Sequence, residues 1–410
     1  PSNLLMSPLH LAACLLVVVL MCEMVSEVAV RNDLVVDLNL VRCDTFGMST
    51  IPIRREEITT EWLTAMLASA GECVISGLHL ETMTGYNPEL SQLFRVRIDY
   101  AVRTEAHPVV VIAKIPPVDG FVRLRESKFG PYASELGCYR LLEEFQGGSI
   151  ARMYGAVEDL EEETASFVFE DLGVFPEGQK YARIDLDVAK STLDFMATFH
   201  ARYWRDDSLE GKSWIRDDDW AFLFNQDPLG SATGWQVIKD DDRFDKSGGL
   251  VVAGEYLGAR LTDLRDAMRS RPRTLTHNDF HQGNVLLRET PIGQQPVIID
   301  WQMPAYSGGT NDLAKFMMTA VPFEILAEHE TALVARYAES LKTNGVTGYS
   351  FEECWRDYRR AQVATFGNYA ISCYETSADG GLIESSGDST HAVIKALTLA
   401  DPAELKKFLP

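Results

Sequence analysis

Residues 276–284 read THNDFHQGN, and residues 297–301 read VIIDW. Between them, 284–288 (NVLLR) is a short apolar run and 289–296 a polar stretch holding Gly293 and Pro296, so the whole predicts a β-hairpin. Antiparallel pairing brings the start of the first strand beside the end of the second, making Asn284 and Asp300 neighbours across the hairpin. Asp279 stands five residues before Asn284, on the loop leading in. An Asp and an Asn flanking one loop, with a second Asp across a hairpin, are what phosphoryl transfer requires. One carboxylate orients a hydroxyl and accepts its proton, while the amide oxygen and the other carboxylate hold Mg²⁺ against nucleotide phosphates. A different chemistry uses His277, Asp279 and His281 as half of a metallohydrolase ligand set, since H-x-D-x-H lines one face of a strand. That reading leaves Asn284, Asp300 and Lys114 without a task, and no further His or Cys pair has ligand spacing.

Upstream, Thr59 or Thr60 can cap a helix from Glu61 to Gly71 that carries Trp62, Met66 and Leu67 on one face. Phe94, Val96, Ile98, Tyr100 and Val102 alternate with polar residues, predicting a half-buried strand. Residues 108–116 (PVVVIAKIP) predict a second strand, more fully apolar, with one charge, Lys114. Alone, Lys114 reads as a strand-end lysine whose stem covers apolar surface. A helix starting at Pro131 changes that, because Glu135 falls in phase with Tyr132, Leu136 and Tyr139 and faces inward near Lys114. Residues 166–169 predict a strand running into the polar exit Glu170, Asp171, Leu172 and Gly173, taken as the connector between two lobes. Beyond it the periodicity is helical, over 185–204, 255–270, 311–319, 323–343, 351–374 and 389–399. His200 lies on the apolar phase of its helix and reads as a core histidine supporting the loop. Asp312 reads equally as a helix cap or as an anchor of the 276–284 loop.

Composition bounds the rest. At 410 residues, 46% hydrophobic and 24% charged, the chain has the make-up of a globular protein with more than one lobe. A net charge of −22, with acidic clusters at 158–163, 206–219 and 240–245, would repel a phosphate backbone and argues against nucleic acid as a partner. The seven cysteines are widely spaced without a C-x-x-C pair and read as free thiols in a reducing, cytoplasmic setting. Residues 11–22 form an uncharged run too short to span a bilayer, so no stable membrane insertion is expected; a signal h-region is the other reading of it. Residues 1–47 are expected to be an extension outside the core, 48–170 a nucleotide-binding lobe, and 171–410 a lobe carrying catalytic and acceptor-binding residues.

The run HNDFHQGN followed by IDWQ resembles the motifs of the aminoglycoside phosphotransferase and choline kinase superfamily. Gln302 after Asp300 and Trp301, together with FHARYW (199–204) and NDLAKF (311–316), brings the resemblance closest to its ecdysteroid-kinase-like (CHK kinase-like) branch, over about 48–410. That resemblance implies an α+β, two-lobed protein-kinase-like fold with a small antiparallel sheet, a larger helical lobe and ATP in the cleft between them. It further implies Asp279 as catalytic base, Asn284 and Asp300 as Mg²⁺ ligands, Lys114 on the nucleotide phosphates, Glu135 paired with Lys114, and the backbone around Glu170, Asp171 and Leu172 at the adenine. Gly85 is the only glycine in MTGYNPELSQ (83–92), where a phosphate-covering turn is expected, far short of G-x-G-x-x-G. The acceptor is expected to be a small-molecule hydroxyl, because Asp300, Trp301 and Gln302 replace D-F-G and no A-P-E follows. A nucleotide-binding module without transfer activity is the alternative.

Overall fold

Thr59 Oγ1 accepts a hydrogen bond from Trp62 N at 3.2 Å and caps α1 (Thr60–Met66). In the computed structural model, residues 51–83, 91–120, 123, 130–159, 162–173, 182–217, 228–291, 293–378 and 387–410 are described. The chain divides after Ser49, and every described residue belongs to the second unit. The extension expected over 1–47 and the turn residue Gly85 lie outside the described residues.

After α1 come β1 (Val74–Thr82), β2 (Gln92–Val102), β3 (Val110–Ile115), α2 (Pro131–Leu141), β4 (Met153–Asp159) and β5 (Thr164–Glu170). The five strands form one antiparallel sheet in the order β1-β2-β3-β5-β4. The two-residue strand period sorts the side chains. Phe94, Val96 and Ile98 of β2, with Val111, Ala113 and Ile115 of β3, bury one face against Ile58, Trp62, Leu63, Met66 and Leu67. The opposite face, carrying Ile112 and Lys114 of β3 and Phe167 and Phe169 of β5, meets Tyr132, Leu136 and Tyr139 of α2. Glu135 is buried on the same side of α2 as those three, as its phase predicts.

Beyond Glu170 follow α3 (Leu186–Arg202), α4 (Pro228–Asp240), α5 (Leu250–Arg269), β6 (Thr274–Thr276), β7 (Val285–Thr290), β8 (Gly293–Ile298), β9 (Ala305–Ser307), α6 (Thr310–Thr319), α7 (Phe323–Thr343), α8 (Phe351–Ala378), α9 (Gly387–Leu397) and α10 (Pro402–Phe408). β6 pairs with β9 and β7 with β8, both antiparallel. The fold is thus α+β and two-lobed, with a small sheet lobe and a larger helical one. Trp301 is fully buried between the two small sheets and α3, edge-on to Phe199 at 5.4 Å and tilted on His277 at 4.6 Å. Losing such a ring typically costs about 3–5 kcal/mol.

Two expectations are corrected. The hairpin turn is tighter than the polar stretch suggests: Thr290 pairs with Gly293, so 294–296 are strand, and the second strand ends at Ile298 rather than Trp301. Asp312 does not cap α6, whose N-cap is Gly309 without a side-chain bond. Four strands and two helices went unread. β1 and β4 are the sheet's edges and are buried only in part, which blurs their alternation, while β6 and β9 are three residues each. α4 begins at Pro228 and holds two glycines, and α10 is a seven-residue helix at the chain end. Among the described residues no helix is long and apolar enough to cross a membrane. Cys73, Cys138 and Cys354 are free thiols.

Candidate active site

The loop after β6 alternates inward and outward. His277 and Phe280 are buried, the latter edge-on to Phe316 of α6 at 5.6 Å, which turns Asp279 outward. Asn278 has φ +63°, a left-handed conformation that Asn and Gly adopt most readily. Asp312 holds it there. Its Oδ2 accepts from His277 N and its Oδ1 from Asn278 N, both at 2.7 Å, and the carboxylate is fully buried. His200 supports the anchor with Nε2 3.2 Å from Asp312 Oδ2 and Nδ1 2.7 Å from the Tyr337 hydroxyl.

His277 Nε2 lies 2.9 Å from the Ile299 carbonyl, while Nδ1 accepts from Asp279 N at 3.2 Å. With both ring nitrogens engaged, and His281 Nδ1 accepting from Gly283 N, the His277/Asp279/His281 ligand set is not assembled. Burial pushes His277 and His200 below the ordinary imidazole value against the pull of Asp312, so both are neutral. The stability they contribute is fully present above about pH 6.5 and is lost as the pH falls, because the unfolded chain takes up the protons that the fold excludes.

Asp279 presents two unlike oxygens. Oδ1 accepts from Lys315 Nζ of α6 at 2.5 Å. Oδ2 is loosely held, 3.5 Å from His281 Nε2 and 3.4 Å from Asn284 Nδ2. Burial raises the Asp279 pKa, but Lys315 and His281 outweigh it and hold the carboxyl well below the usual range. Lys315 is held protonated in turn, since Asp279 overcomes its burial. Asn284 is buried and donates Nδ2 to the Asp279 carbonyl at 2.9 Å, which leaves Oδ1 for a cation. Ile299 N donates to the Asn284 carbonyl at 3.1 Å, so the hairpin seats Asp300 one residue beyond Asn284's partner.

Asp300 also has φ +63°. Its carboxylate is 38% exposed and accepts from Lys114 Nζ at 2.8 Å. The same ammonium donates to both Glu135 oxygens, at 2.9 and 2.8 Å, and Gln302 Nε2 donates to Glu135 Oε2 at 3.3 Å. Burial opposes the Lys114 charge, yet Asp300 and Glu135 together keep it protonated. One cation therefore faces two carboxylates, and Asp300 is only partly neutralised. Hard oxygens on Asp300 and Asn284 fit Mg²⁺, which keeps several waters and needs few protein ligands.

At the connector, Glu170 accepts from Arg152 N at 2.7 Å and pairs with Arg288 of β7, while Asp171 forms a two-bond pair with Arg95, each bond 2.7 Å. The side chains of Glu170 and Asp171 are thus both engaged within the protein.

Sequence reasoning passed over Lys315. Its signal was present: Leu313, Ala314, Phe316, Met317 and Met318 are apolar, and a lone lysine among them needs a buried-side partner. We expect Asp312→Ala to lower unfolding free energy by about 3 kcal/mol or more, since two backbone N–H groups lose a charged acceptor. A urea titration checks this, and an unchanged midpoint would remove Asp312 as the loop's anchor.

No curated protein matches the chain. Among solved structures it is similar to choline kinase from Cryptosporidium parvum Iowa II, at 14% identity over 85% of this chain and 96% of that one, with a TM-score of 0.45. It is similar also to a microcompartment-associated aminopropanol kinase, at 13% identity over 85% and 99%, TM-score 0.47. A third is Plasmodium vivax ethanolamine kinase, at 11% over 78% and 80%, TM-score 0.43. Overlaps this loose assign no activity to the chain. Residues 246–346, the stretch that carries Asp279, Asn284, Asp300, Asp312 and Lys315, match the model of the ecdysteroid kinase-like family.

Proposed function

We propose that the chain is a small-molecule O-phosphotransferase that moves the γ-phosphoryl group of Mg-ATP to an acceptor hydroxyl. The observation that carries this is the convergence of Asp279, Asn284 and Asp300 on one loop and hairpin, beside the Lys114–Glu135 pair. Asn284 Oδ1 and Asp300 would hold Mg²⁺, which when bound neutralises phosphate oxygens. Lys114, shared between Asp300 and Glu135, steadies the phosphates by charge. Asp279 Oδ2, the loosely held oxygen, accepts the hydrogen bond of the acceptor hydroxyl and then its proton. The acceptor oxygen bonds to the γ-phosphorus as the bond to the β-bridging oxygen breaks, and that electron pair leaves on ADP. A carboxylate held far below neutral is a weak base. It suits a loose transition state, in which the proton moves late and positioning does most of the work.

In this reading the nucleotide base meets the backbone of Glu170, Asp171 and Leu172, at and beyond the end of β5. The assay is incubation with Mg-ATP and a panel of amino-cyclitols, choline analogues, sterols and macrolides, read by mass for phosphate addition. A phosphorylated acceptor supports the reading and names the substrate. Mg-ATP binding without transfer to any acceptor would favour a silent nucleotide-binding module, and absence of nucleotide binding would sink both.

A further inference from the structure

We propose that Lys315 is a second catalytic cation, which receives the negative charge of the phosphoryl group in flight on the acceptor side; this rests on the phosphotransfer reading above. Phosphoryl transfer spreads charge over three equatorial oxygens between the leaving and attacking atoms, and cations on both sides lower its energy. Lys114 stands on the nucleotide side, bound to Asp300 and Glu135. On the acceptor side, the ammonium of Lys315 lies 2.5 Å from Asp279 Oδ1, the oxygen opposite the one left loose.

An acceptor hydroxyl bound to Asp279 Oδ2 therefore sits within about 7.5 Å of Lys315 Nζ, a carboxylate width plus two hydrogen bonds. The phosphorus joins that same hydroxyl oxygen, so its equatorial oxygens fall within the range of the ammonium's charge. Lys315 is also built into place. It rises from α6, whose Asp312 fixes the backbone of His277 and Asn278, so one helix sets both the loop and the cation. Its side chain is 22% exposed, so it is not sealed in the core. A purely structural ion pair would explain the contact with Asp279 but would add nothing to the binding of a transferring phosphoryl.

The test needs no acceptor. Calorimetry on the full chain measures Mg-ADP binding alone and with fluoroaluminate, a planar stand-in for the phosphoryl in flight, for the wild type, Lys315→Met and Lys315→Arg. The wild type is expected to bind Mg-ADP more tightly with fluoroaluminate. Lys315→Met should keep its affinity for Mg-ADP alone and lose roughly tenfold or more of that tightening, while Lys315→Arg keeps most of it. Equal tightening in Lys315→Met and wild type, or none in the wild type, would overturn the role of Lys315 and leave nucleotide binding standing. A wild type that does not bind Mg-ADP would overturn the phosphotransfer reading and this inference together. Should Lys315→Met itself fail to bind Mg-ADP, Lys315→Gln, which keeps a hydrogen bond to Asp279 without the charge, replaces it with the same outcomes.

Discussion

Asp279→Asn lowers turnover by at least ~10² and leaves Mg-ATP affinity nearly unchanged. The amide is close in shape to the carboxylate but cannot accept the acceptor's proton, while Asn284 and Asp300 are untouched. Lys315 loses its partner's charge in this variant but keeps an amide oxygen to donate to, so the fold should survive. Asp300→Asn is expected to behave in the opposite way. It removes the charged oxygen that a cation would need, and Mg-ATP affinity falls, with turnover at saturating nucleotide less affected than in Asp279→Asn. Nucleotide titration and turnover assays on both variants decide the matter. Wild-type turnover in Asp279→Asn would remove the catalytic assignment, and undiminished Mg-ATP affinity in Asp300→Asn would remove the metal role.

The residues that could be read from the sequence were those whose local pattern and chemistry coincide. β2 alternates cleanly because one face packs on α1 and the other carries Arg95 and Arg97. Glu135 could be aimed inward because three aromatic or aliphatic neighbours fix its helical phase. The pairing of Asn284 with the neighbourhood of Asp300 follows from hairpin closure alone, even though the turn itself is shorter than its polar composition suggests. What could not be read was set by contacts between distant segments. Lys315 meets Asp279 across 36 residues, and nothing local to either residue states the pairing. The split duty of Asp312 depends on His277, Asn278 and His200 arriving from three places, and so its reading stayed open until the geometry closed it. The left-handed turn at Asp300 is likewise tertiary. Aspartate visits that region more readily than most residues, but nothing in the local sequence marks this one for φ +63°.

Lys114→Met is expected to damage stability and nucleotide binding together, and a second substitution separates the two. Glu135 is 1% exposed and receives both of its short bonds from the Lys114 ammonium. Removing that ammonium strands a buried carboxylate with only the 3.3 Å contact to Gln302, and breaking a buried pair from one side costs about 3–5 kcal/mol. Burial already pushes Glu135 upward against the pull of Lys114, so in the variant it takes up a proton more readily. The variant's added instability should therefore grow as the pH rises, where the stranded group must stay charged. Lys114→Met with Glu135→Gln removes the stranded charge, and most of the lost stability should return because neither remaining group is ionised. Mg-ATP affinity should not return, since the phosphates still lack the cation. Thermal unfolding and nucleotide titration on the single and double variants read the two effects independently. A double variant that regains both would make the pair purely structural, and a single variant as stable as wild type would show that Glu135 has other means of burial than Lys114.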